Sequence, residues 1–518
     1  MSYKFLTPLQ VWESFNPVKE PVELSIMKTS EHEGIHSSEC FFTSETVSDG
    51  KVRGFFKIYA KTEWEDAAER RPTVVLLPAI APLNLKSYLH WFLDRGIAVA
   101  VLNYAGAASD SDKGCTCYPP SLEYGNFLKA GSHLHRVAES ARDTTWFLWT
   151  KLVRRALTAL SETAFVDKER LALVGIREGA QIAWQVAGID DRLKAVMPLF
   201  GCGYAEYSGH FKYGSSNNIE MTEEHKCWIA GVAPQSFAQF IGCPLYFLSG
   251  SNSVYGDMDR AYDIVNFVQS PHALMGISPM RDSQLGADII ESALKWLDYA
   301  LNGLLEERVL PELKFENRSG RLFLNIRVND NIEILRVYMS ENEVDPTLRT
   351  WERIADVQTA DITDKEIVCA IPVYKNHGRV FVYANALYND GIIASSRMVT
   401  EVPEQLGIIA EAAPSLAERV IYAGSAGVNG AFVSERERLS LDGGFVIAAE
   451  GPEGITGITA DNACLSTYKL NKSVFSKDKT RLLNFSAFSR EKRNITLSLK
   501  TADDDAGVYE NDVELSGL

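Results

Sequence analysis

The feature that most constrains the fold is an alternation, over the first 303 residues, of short apolar runs with helix-patterned segments. Residues 71–80 (RPTVVLLPAI) and 97–107 (IAVAVLNYAGA) are almost wholly apolar, and residues 85–96 between them have helical spacing and end in Gly96. Strands that are apolar on both sides must be covered on both faces, as in a parallel sheet between helices. The pattern predicts one α/β domain over residues 1–303.

The same alternation continues along this domain. It predicts helices over 133–160, 179–188 and 286–303, the last capped by Gly303, and buried strands over 170–176, 193–201 and 243–251. Residues 20–60 instead alternate polar and apolar positions, which predicts antiparallel strands at one edge of the sheet.

The pattern changes near residue 304. Alternating runs of six to ten residues, separated by Asn, Asp and Gly, predict an immunoglobulin-like β-sandwich domain over 304–404. Residues 405–518 are also β-patterned and predict a jelly-roll-like domain. The expected architecture is therefore an α/β domain, mostly parallel with helices on both faces, followed by two all-β sandwich-like domains.

Composition narrows the classes of partner. The formal net charge of −16 argues against nucleic acid and anionic membrane surfaces, which select concentrated basic faces. There is no apolar run of about 18 residues and no signal-peptide pattern at the N-terminus, so we expect a cytoplasmic protein. The eight cysteines are sparse and mostly in apolar stretches. Cys115 and Cys117 form a single CxC with no second pair, so neither a metal site nor a cofactor is expected.

One short motif carries the functional question. Residues 171–184 (LALVGIREGAQIAW) place Gly175, Ile176, Arg177, Glu178 and Gly179 between a predicted strand and a predicted helix. Two glycines around a central residue are typical of the G-x-S-x-G nucleophile elbow, in which serine sits on a strained strand-to-helix turn.

This elbow, together with LLPAI (76–80), FLDRGIAVAVLNYAG (92–106) and CPLYFLSGSNSVYGDMDR (243–260), resembles the α/β-hydrolase superfamily. More narrowly, residues 40–303 resemble the group of dienelactone hydrolases, acetyl xylan esterases and cephalosporin-C deacetylases. The resemblance implies a serine nucleophile at the elbow, an acid after the strand at 243–250 and a histidine before the last helix.

The catalytic positions depart from that pattern. Arg177 stands where the serine is implied, and a protonated guanidinium has no lone pair with which to attack a carbonyl. Ser253 stands at the implied acid position, with Asp257 and Asp259 nearby as substitutes if the loop is reshaped. The implied histidine window, 275–287, contains Asp282 but no histidine.

Two further observations concern the same machinery. His272 precedes the predicted strand rather than following it, which favours a surface role. The implied oxyanion loop, 79–86 (AIAPLNLK), lacks glycine, and Pro82 has no N–H to donate. Loss of one triad member alone leaves about 10³–10⁴-fold catalysis over water, so we expect no useful esterase activity.

Arg177 and Glu178 have several interpretations. In the first, they form a solvated or internally paired network that fills the cleft, with Asp257 or Asp282 as candidate partners. In the second, Arg177 binds an anionic ligand with help from the following helix N-terminus. In the third, the cleft supports unorthodox catalysis near Cys202. The candidate ligand-binding residues around this cleft are Arg177, Glu178, Ile80, Tyr104, Cys202, Tyr204, Tyr255, Asp257 and Arg281.

Aromatic residues offer a saccharide site as an alternative. Loop tyrosines are the better candidates for it, namely Tyr104, Tyr118, Tyr124 and Tyr255. Trp91, Trp146, Trp149, Trp184 and Trp228 lie mostly on helical patterns and are expected in the core.

Three functions remain open. The first is a noncatalytic homologue that binds an anionic or saccharide small molecule, or a protein. We favour it because a single loss of function explains four departures together: those of the nucleophile, the acid, the histidine and the oxyanion loop. The second is a carboxylic-ester hydrolase with a relocated triad, recognisable by a Ser or Cys within hydrogen-bonding reach of a His. The third is a structural scaffold that self-associates through its β domains, so that a homo-oligomer is expected.

Overall fold

A computed structural model of the protein describes residues 3–64, 69–81, 85–107, 114–214, 219–329, 331–359, 365–411, 420–424, 432–434, 440–444, 446–460, 464–471, 483–500 and 508–516. Pro82 lies outside these residues.

The first part of the chain forms a nine-stranded mixed sheet. Its strands are β1 (Ser25–His32), β2 (Ile35–Val47), β3 (Gly50–Lys61), β4 (Arg71–Leu77), β5 (Ala98–Asn103), β6 (Val166–Ile176), β7 (Leu193–Leu199), β8 (Leu245–Gly250) and β9 (Ala273–Ser278). The strand order is β1-β2-β3-β5-β4-β6-β7-β8-β9. β1, β2 and β3 are antiparallel, as the alternating pattern predicts, and the pairs from β4 onward are parallel.

The described helices of this part are α1 (Pro8–Trp12), α2 (Lys86–Leu93), α3 (Thr145–Ser161), α4 (Glu178–Ala187), α5 (Glu223–Gly231), α6 (Pro234–Phe237), α7 (Met258–Phe267) and α8 (Ala287–Asn302). The sheet separates two apolar cores. α3, α4 and α7 pack on one face, and α2 and α8 pack on the other. Helices on both faces explain why the parallel strands are apolar throughout.

The predicted tryptophan core is confirmed for four of its five members. Trp146, Trp149, Trp184 and Trp228 are all buried, whereas Trp91 on α2 is half-buried.

The helix predicted over 133–160 begins later than expected. Residues before Thr145 form short 3₁₀ turns, and the Ser140 N–H donates to the Asp143 carboxylate in a capping box. Thr144 then caps α3, since its hydroxyl accepts the Phe147 N–H at 3.2 Å. These polar caps end one turn and begin the next, which helical spacing alone does not reveal.

The chain after α8 forms a β-sandwich. Its strands are β10 (Glu312–Arg318), β11 (Arg321–Arg327), β12 (Ile332–Glu341), β13 (Glu352–Gln358), β14 (Glu366–Ile371), β15 (Val380–Tyr388), β16 (Ile393–Ser395) and β17 (Val399–Glu401). β10, β11 and β14 make one antiparallel sheet, and the others make a second sheet around β12 and β15.

The sandwich covers the β9 edge of the large sheet. The Ile277 N–H donates to Ser395 Oγ at 2.9 Å, and Asn385 Nδ2 donates to the Ile277 carbonyl at 2.9 Å. Arg349 and Asp259 add a buried bidentate ion pair, at 2.5 and 2.7 Å, between the sandwich and α7. The α/β part and the sandwich therefore share polar and charged contacts as well as apolar ones.

The described residues beyond 405 form three two-stranded antiparallel sheets. Their strands are β18 (Val433–Ser434), β19 (Val446–Glu450), β20 (Thr456–Ala460), β21 (Leu465–Ser466), β22 (Arg493–Lys500) and β23 (Val508–Leu515). The jelly roll stays a prediction. Residue 442 forms a parallel bridge with Leu285, so this region contacts the α/β part.

Candidate functional site

The elbow between β6 and α4 has the strained geometry of a nucleophile turn. Arg177 has φ 53° and ψ −108°, a backbone conformation that non-glycine residues rarely adopt. The flanking glycines are required by close packing: a Cβ on Gly175 would lie 2.2 Å from the Gly179 carbonyl oxygen, and a Cβ on Gly179 would lie 2.2 Å from the Leu77 carbonyl oxygen. The turn is therefore intact, with arginine at its apex.

The side chain of Arg177 lies against an exposed aromatic ring. Its guanidinium carbon is 4.7 Å from the ring centre of Tyr255, which is 46% exposed. Among the described residues, no carboxylate lies within 4.0 Å of this guanidinium. Arg177 is thus a half-buried cation with a cation–π contact and no anionic partner in the described part of the chain.

Glu178 accepts a hydrogen bond from the loop beside the elbow. The Ile80 N–H, in the loop that follows β4, donates to Glu178 Oε2 at 3.1 Å. In α/β hydrolases the loop after the corresponding strand supplies one of the two backbone N–H groups of the oxyanion hole. In this protein the Glu178 carboxylate accepts the hydrogen bond from the Ile80 N–H.

Tyr104 is a structural residue rather than a ligand contact, which corrects the sequence prediction. It is 2% exposed, and its hydroxyl donates to the Pro78 carbonyl at 2.7 Å. Burial, with the nearby Glu178 charge, raises the pKa of Tyr104 well above its usual value. A neutral, enclosed phenol of this kind holds the β4 loop in place.

The loop after β8 uses its polar groups internally. Asn252 is 1% exposed, and its Nδ2 donates to the carbonyls of Thr347 and Arg349 at 3.1 and 2.7 Å. Ser253 Oγ accepts the N–H groups of Tyr255 and Gly256 at 3.3 Å each. Ser253 therefore shapes the turn, and Asn252 fastens it to the sandwich.

The substitute acids are also engaged. Asp257 caps α7 and pairs with Arg260 at 2.5 Å, and Asp259 pairs with Arg349. Asp282 Oδ1 accepts the Val254 N–H at 3.1 Å. Among the described residues, neither Asp257 nor Asp282 pairs with Arg177, so that a solvated network around Arg177 and Glu178 stays a prediction.

Arg281 was predicted to bind ligand, but it points into the C-terminal region. It is 9% exposed, and its guanidinium donates to the carbonyls of Ser434, Gly443 and Gly444 at 2.8, 2.8 and 3.2 Å. The sequence around Arg281 does not show whether its side chain faces the cleft or the C-terminal region, because its acceptors lie more than 150 residues away.

Cys202 and Tyr204 follow β7 at the rim of the elbow. Cys202 is fully buried, its thiol donates to the Asp257 carbonyl at 3.7 Å, and burial raises the thiol pKa well above its usual value. A thiol held neutral in this way is inert as a nucleophile. Tyr204 is half-buried with a left-handed backbone, φ 57°, and its N–H donates to Gln235 Oε1.

Sequence reasoning missed Glu206, two residues further along. Its Oε1 accepts from Gln235 Nε2 at 2.7 Å, whereas its buried Oε2 has no hydrogen-bond partner among the described residues. Burial raises the pKa of Glu206. Since Gln235 lies 29 positions away, the sequence carries no local signal for this contact.

A serine–histidine contact does occur in the described structure, but away from the elbow. His36 Nε2 lies 3.0 Å from Ser38 Oγ on β2, which is separated from β6 by three strands. It does not reconstitute a triad at the elbow. His272 precedes β9, as expected from the sequence.

Within the described residues there is no group of three or more His, Cys, Asp or Glu side chains placed to hold a metal ion. None of the helices described above has the length and apolar character needed to span a membrane.

Comparisons with known proteins gave likenesses in structure alone. No family model and no curated protein sequence matches the chain. Among solved structures, acetyl xylan esterase 1 from Thermoanaerobacterium sp. JW/SL YS485 is 12% identical with a TM-score of 0.42, covering 57% of this chain and 96% of that one. An acetyl xylan esterase from Paenibacillus sp. R4 is 13% identical with a TM-score of 0.41, covering 54% and 90%. A dienelactone hydrolase described as putative, from Klebsiella pneumoniae, is 13% identical with a TM-score of 0.31, covering 48% and 87%.

With TM-scores of 0.31 to 0.42, these likenesses carry no argument by themselves. The chain's own strand order, with helices on both faces and a glycine-flanked elbow between β6 and α4, carries the assignment. The α/β part of this protein has an α/β-hydrolase fold.

Proposed function

We propose that this protein is a noncatalytic α/β-hydrolase homologue whose cleft binds a small anion. The observation that carries the proposal is the pair of neighbours at the elbow. Arg177 occupies the nucleophile position, and Glu178 accepts the Ile80 N–H.

The elbow lacks the nucleophile and the general base that ester hydrolysis needs. There is no hydroxyl or thiol at the apex, and the loop after β9 offers no histidine as a base. An oxyanion placed at the Ile80 N–H would meet the Glu178 carboxylate, and like charges in a poorly solvated cleft repel each other. The transition state would therefore be destabilised where a hydrolase stabilises it.

In hydrolases the loops that follow the strands corresponding to β8 and β9 carry the acid and the histidine. In this protein these loops make structural contacts instead. Asn252 fastens the first loop to the sandwich, and Arg281 fastens the second to the carbonyls of Ser434, Gly443 and Gly444. Restoring a triad would require these contacts to be broken.

What remains open at the cleft is suited to a carboxylate on a flat or cyclic body. Arg177 offers a planar guanidinium for a carboxylate, and the exposed ring of Tyr255 beside it offers a stacking surface. A sugar acid combines the two candidate chemistries, an anion and a saccharide.

The absence of catalysis is tested by the hydrolysis of 4-nitrophenyl acetate. We expect purified protein and Arg177→Ala to show the same background rate. A wild-type rate that is proportional to protein concentration and changed by the substitution would contradict the proposal.

Anion binding is tested by titrating D-glucuronate, D-glucose and acetate, using calorimetry. We expect glucuronate to bind most tightly, and Arg177→Gln to weaken it at least tenfold. Arg95→Gln is the matched control. Arg95 also loses a positive charge in this variant, but it forms a surface ion pair with Glu291 of α8 at 2.9 Å and is not part of the elbow. Equal binding of glucose and glucuronate, unaffected by Arg177→Gln, would reject a role for the charge.

A structural scaffold is the second candidate, favoured by the use of Asn252 and Arg281 as anchors for the β regions. Light scattering gives the mass of the particle in solution. A stable oligomer in which Arg177→Gln changes nothing, together with no anion binding, would favour the scaffold.

A further inference from the structure

Glu178 has one carboxylate oxygen that the described chain does not use. Oε2 accepts the Ile80 N–H at 3.1 Å, whereas Oε1 accepts no hydrogen bond from any described residue. Oε1 is also not one of the described polar atoms that are enclosed without a partner, so solvent reaches it. This half-buried carboxylate therefore keeps a free acceptor beside the elbow.

The contact with Ile80 also orients the carboxylate. The loop that carries Ile80 is itself held by Tyr104, whose hydroxyl donates to the Pro78 carbonyl at 2.7 Å. A carboxylate with one oxygen fixed in this way presents the other oxygen in a defined direction. It has little conformational freedom left to lose when a ligand binds.

Arg177 and Glu178 place opposite charges side by side without pairing them. Their Cα atoms are about 3.8 Å apart, as in any two consecutive residues. The two side chains nevertheless form no ion pair in the described structure, where the guanidinium instead lies 4.7 Å from the ring centre of Tyr255. A cation and an anion are therefore both available to one ligand.

The charge of the whole chain favours a ligand that carries both signs. A net charge of −16 opposes the approach of a simple anion, but it does not oppose a molecule with no net charge. The same holds at the elbow, where a carboxylate bound to Arg177 is repelled by the neighbouring Glu178. An ammonium group on the ligand turns that repulsion into an attraction.

We propose that the ligand of the Arg177 cleft is a zwitterion whose carboxylate and protonated amine are a few bonds apart, as in an amino sugar acid. The inference rests on the proposed function and assigns the choice of ligand to Glu178. The carboxylate binds the Arg177 guanidinium, and the ammonium donates to Glu178 Oε1 in a charge-assisted hydrogen bond. A hydroxyl in place of the ammonium donates to the same oxygen more weakly, because it carries no charge.

The test compares two acids that differ in one group. D-Glucosaminate carries an ammonium on the carbon next to the carboxylate, where D-gluconate carries a hydroxyl. We expect calorimetry with the full-length protein near neutral pH to show that glucosaminate binds about tenfold more tightly than gluconate. D-Glucosamine has the ammonium without the carboxylate, and it should bind more weakly than glucosaminate.

Two variants assign the preference to its residues. Glu178→Gln keeps an oxygen for the Ile80 N–H but removes the charge, so the two acids should then bind about equally. Arg177→Gln should weaken the binding of both acids, because both use the same cation. Glu291→Gln is the matched control. Glu291 is a 69% exposed carboxylate of α8, on the other face of the sheet, and its loss should leave the preference unchanged.

The outcomes separate this inference from the proposed function. Equal binding of the two acids to wild type, weakened by Arg177→Gln, would overturn the zwitterion and leave the anion site standing. No binding of either acid would overturn both. A preference for glucosaminate that survives Glu178→Gln in folded protein would overturn the role of Glu178. If Glu178→Gln does not fold, the comparison of the two acids on wild type still decides whether the ligand is a zwitterion.

Discussion

Arg177 occupies a strained backbone position, with φ 53° at the apex of the elbow. In an active enzyme a strained apex presents the nucleophile, and the surrounding fold maintains the conformation. Here the same apex presents a guanidinium to Tyr255. In the proposed noncatalytic role, this backbone geometry presents a cation instead of a nucleophile.

Putting serine back at the apex should not restore hydrolysis. We expect Arg177→Ser to leave turnover of 4-nitrophenyl acetate at the wild-type background, because no histidine follows β9 and Glu178 still accepts the Ile80 N–H. Initial rates at several protein concentrations check this. A tenfold rise would mean that a base is present near the elbow after all.

Glycine at the apex should stabilise the fold. Glycine adopts φ 53° without the steric cost that a Cβ imposes, so Arg177→Gly should unfold with about 1 kcal/mol more free energy than Arg177→Ala. The alanine variant loses the same side-chain contacts but keeps the Cβ, and urea denaturation of the two gives the difference. Equal stability would show that the turn is unstrained.

The elbow as an element depends on its glycines more than on its apex. We expect Gly175→Ala to lower the free energy of unfolding by ~3 kcal/mol, since its Cβ would lie 2.2 Å from the Gly179 carbonyl oxygen and the backbone must shift. Gly242→Ala is the matched control, because a Cβ there meets nothing within 4 Å. If both variants unfold at the same urea concentration, the approach of β6 to α4 is loose enough to accept a Cβ at residue 175.

The elements were largely predictable from sequence, and the contacts at the cleft were not. Apolar runs and helical spacing located β4, β5, β6 and α8, because burial on one or both faces leaves a local pattern. The partners of Glu178 and Arg281 leave no such pattern. Ile80 is 98 positions from Glu178, and the acceptors of Arg281 lie 153 to 163 positions away.

The start of α3 also could not be predicted from apolar periodicity, although the residues that determine it are close in sequence. Helical spacing predicted a helix from residue 133, but the caps at Ser140 and Thr144 place its beginning at Thr145. Side-chain caps compete locally with helix continuation, and periodicity of apolar residues does not record them.

Across the whole molecule, the ion pair of Asp259 with Arg349 joins the α/β part to the sandwich. Both side chains are almost completely buried, at 1% and 0% exposure. We expect Arg349→Met to lower the free energy of unfolding by about 3–5 kcal/mol, because it leaves a buried carboxylate without its partner. Chemical denaturation measures the change.

The exposed pair of Lys226 with Glu223 is the control for that experiment, and Lys226→Met should cost less than about 1 kcal/mol. Adding Asp259→Leu to Arg349→Met should recover much of the loss, since the stranded charge is then removed. No recovery would indicate that the arginine acts mainly through its packing on Phe381, whose ring centre is 3.6 Å away.

The covered edge at β9 also bears on how the protein is made. Ribosomes add about 5–20 residues per second, so roughly 5–20 s separate the emergence of α8 from completion of the residues up to 404. Throughout that interval Ile277 has neither Ser395 nor Asn385 to pair with, and a nascent chain presents an open strand to its neighbours. Until the sandwich is complete, this open strand edge is therefore a place where nascent chains can pair with one another, whatever the stability of the finished protein.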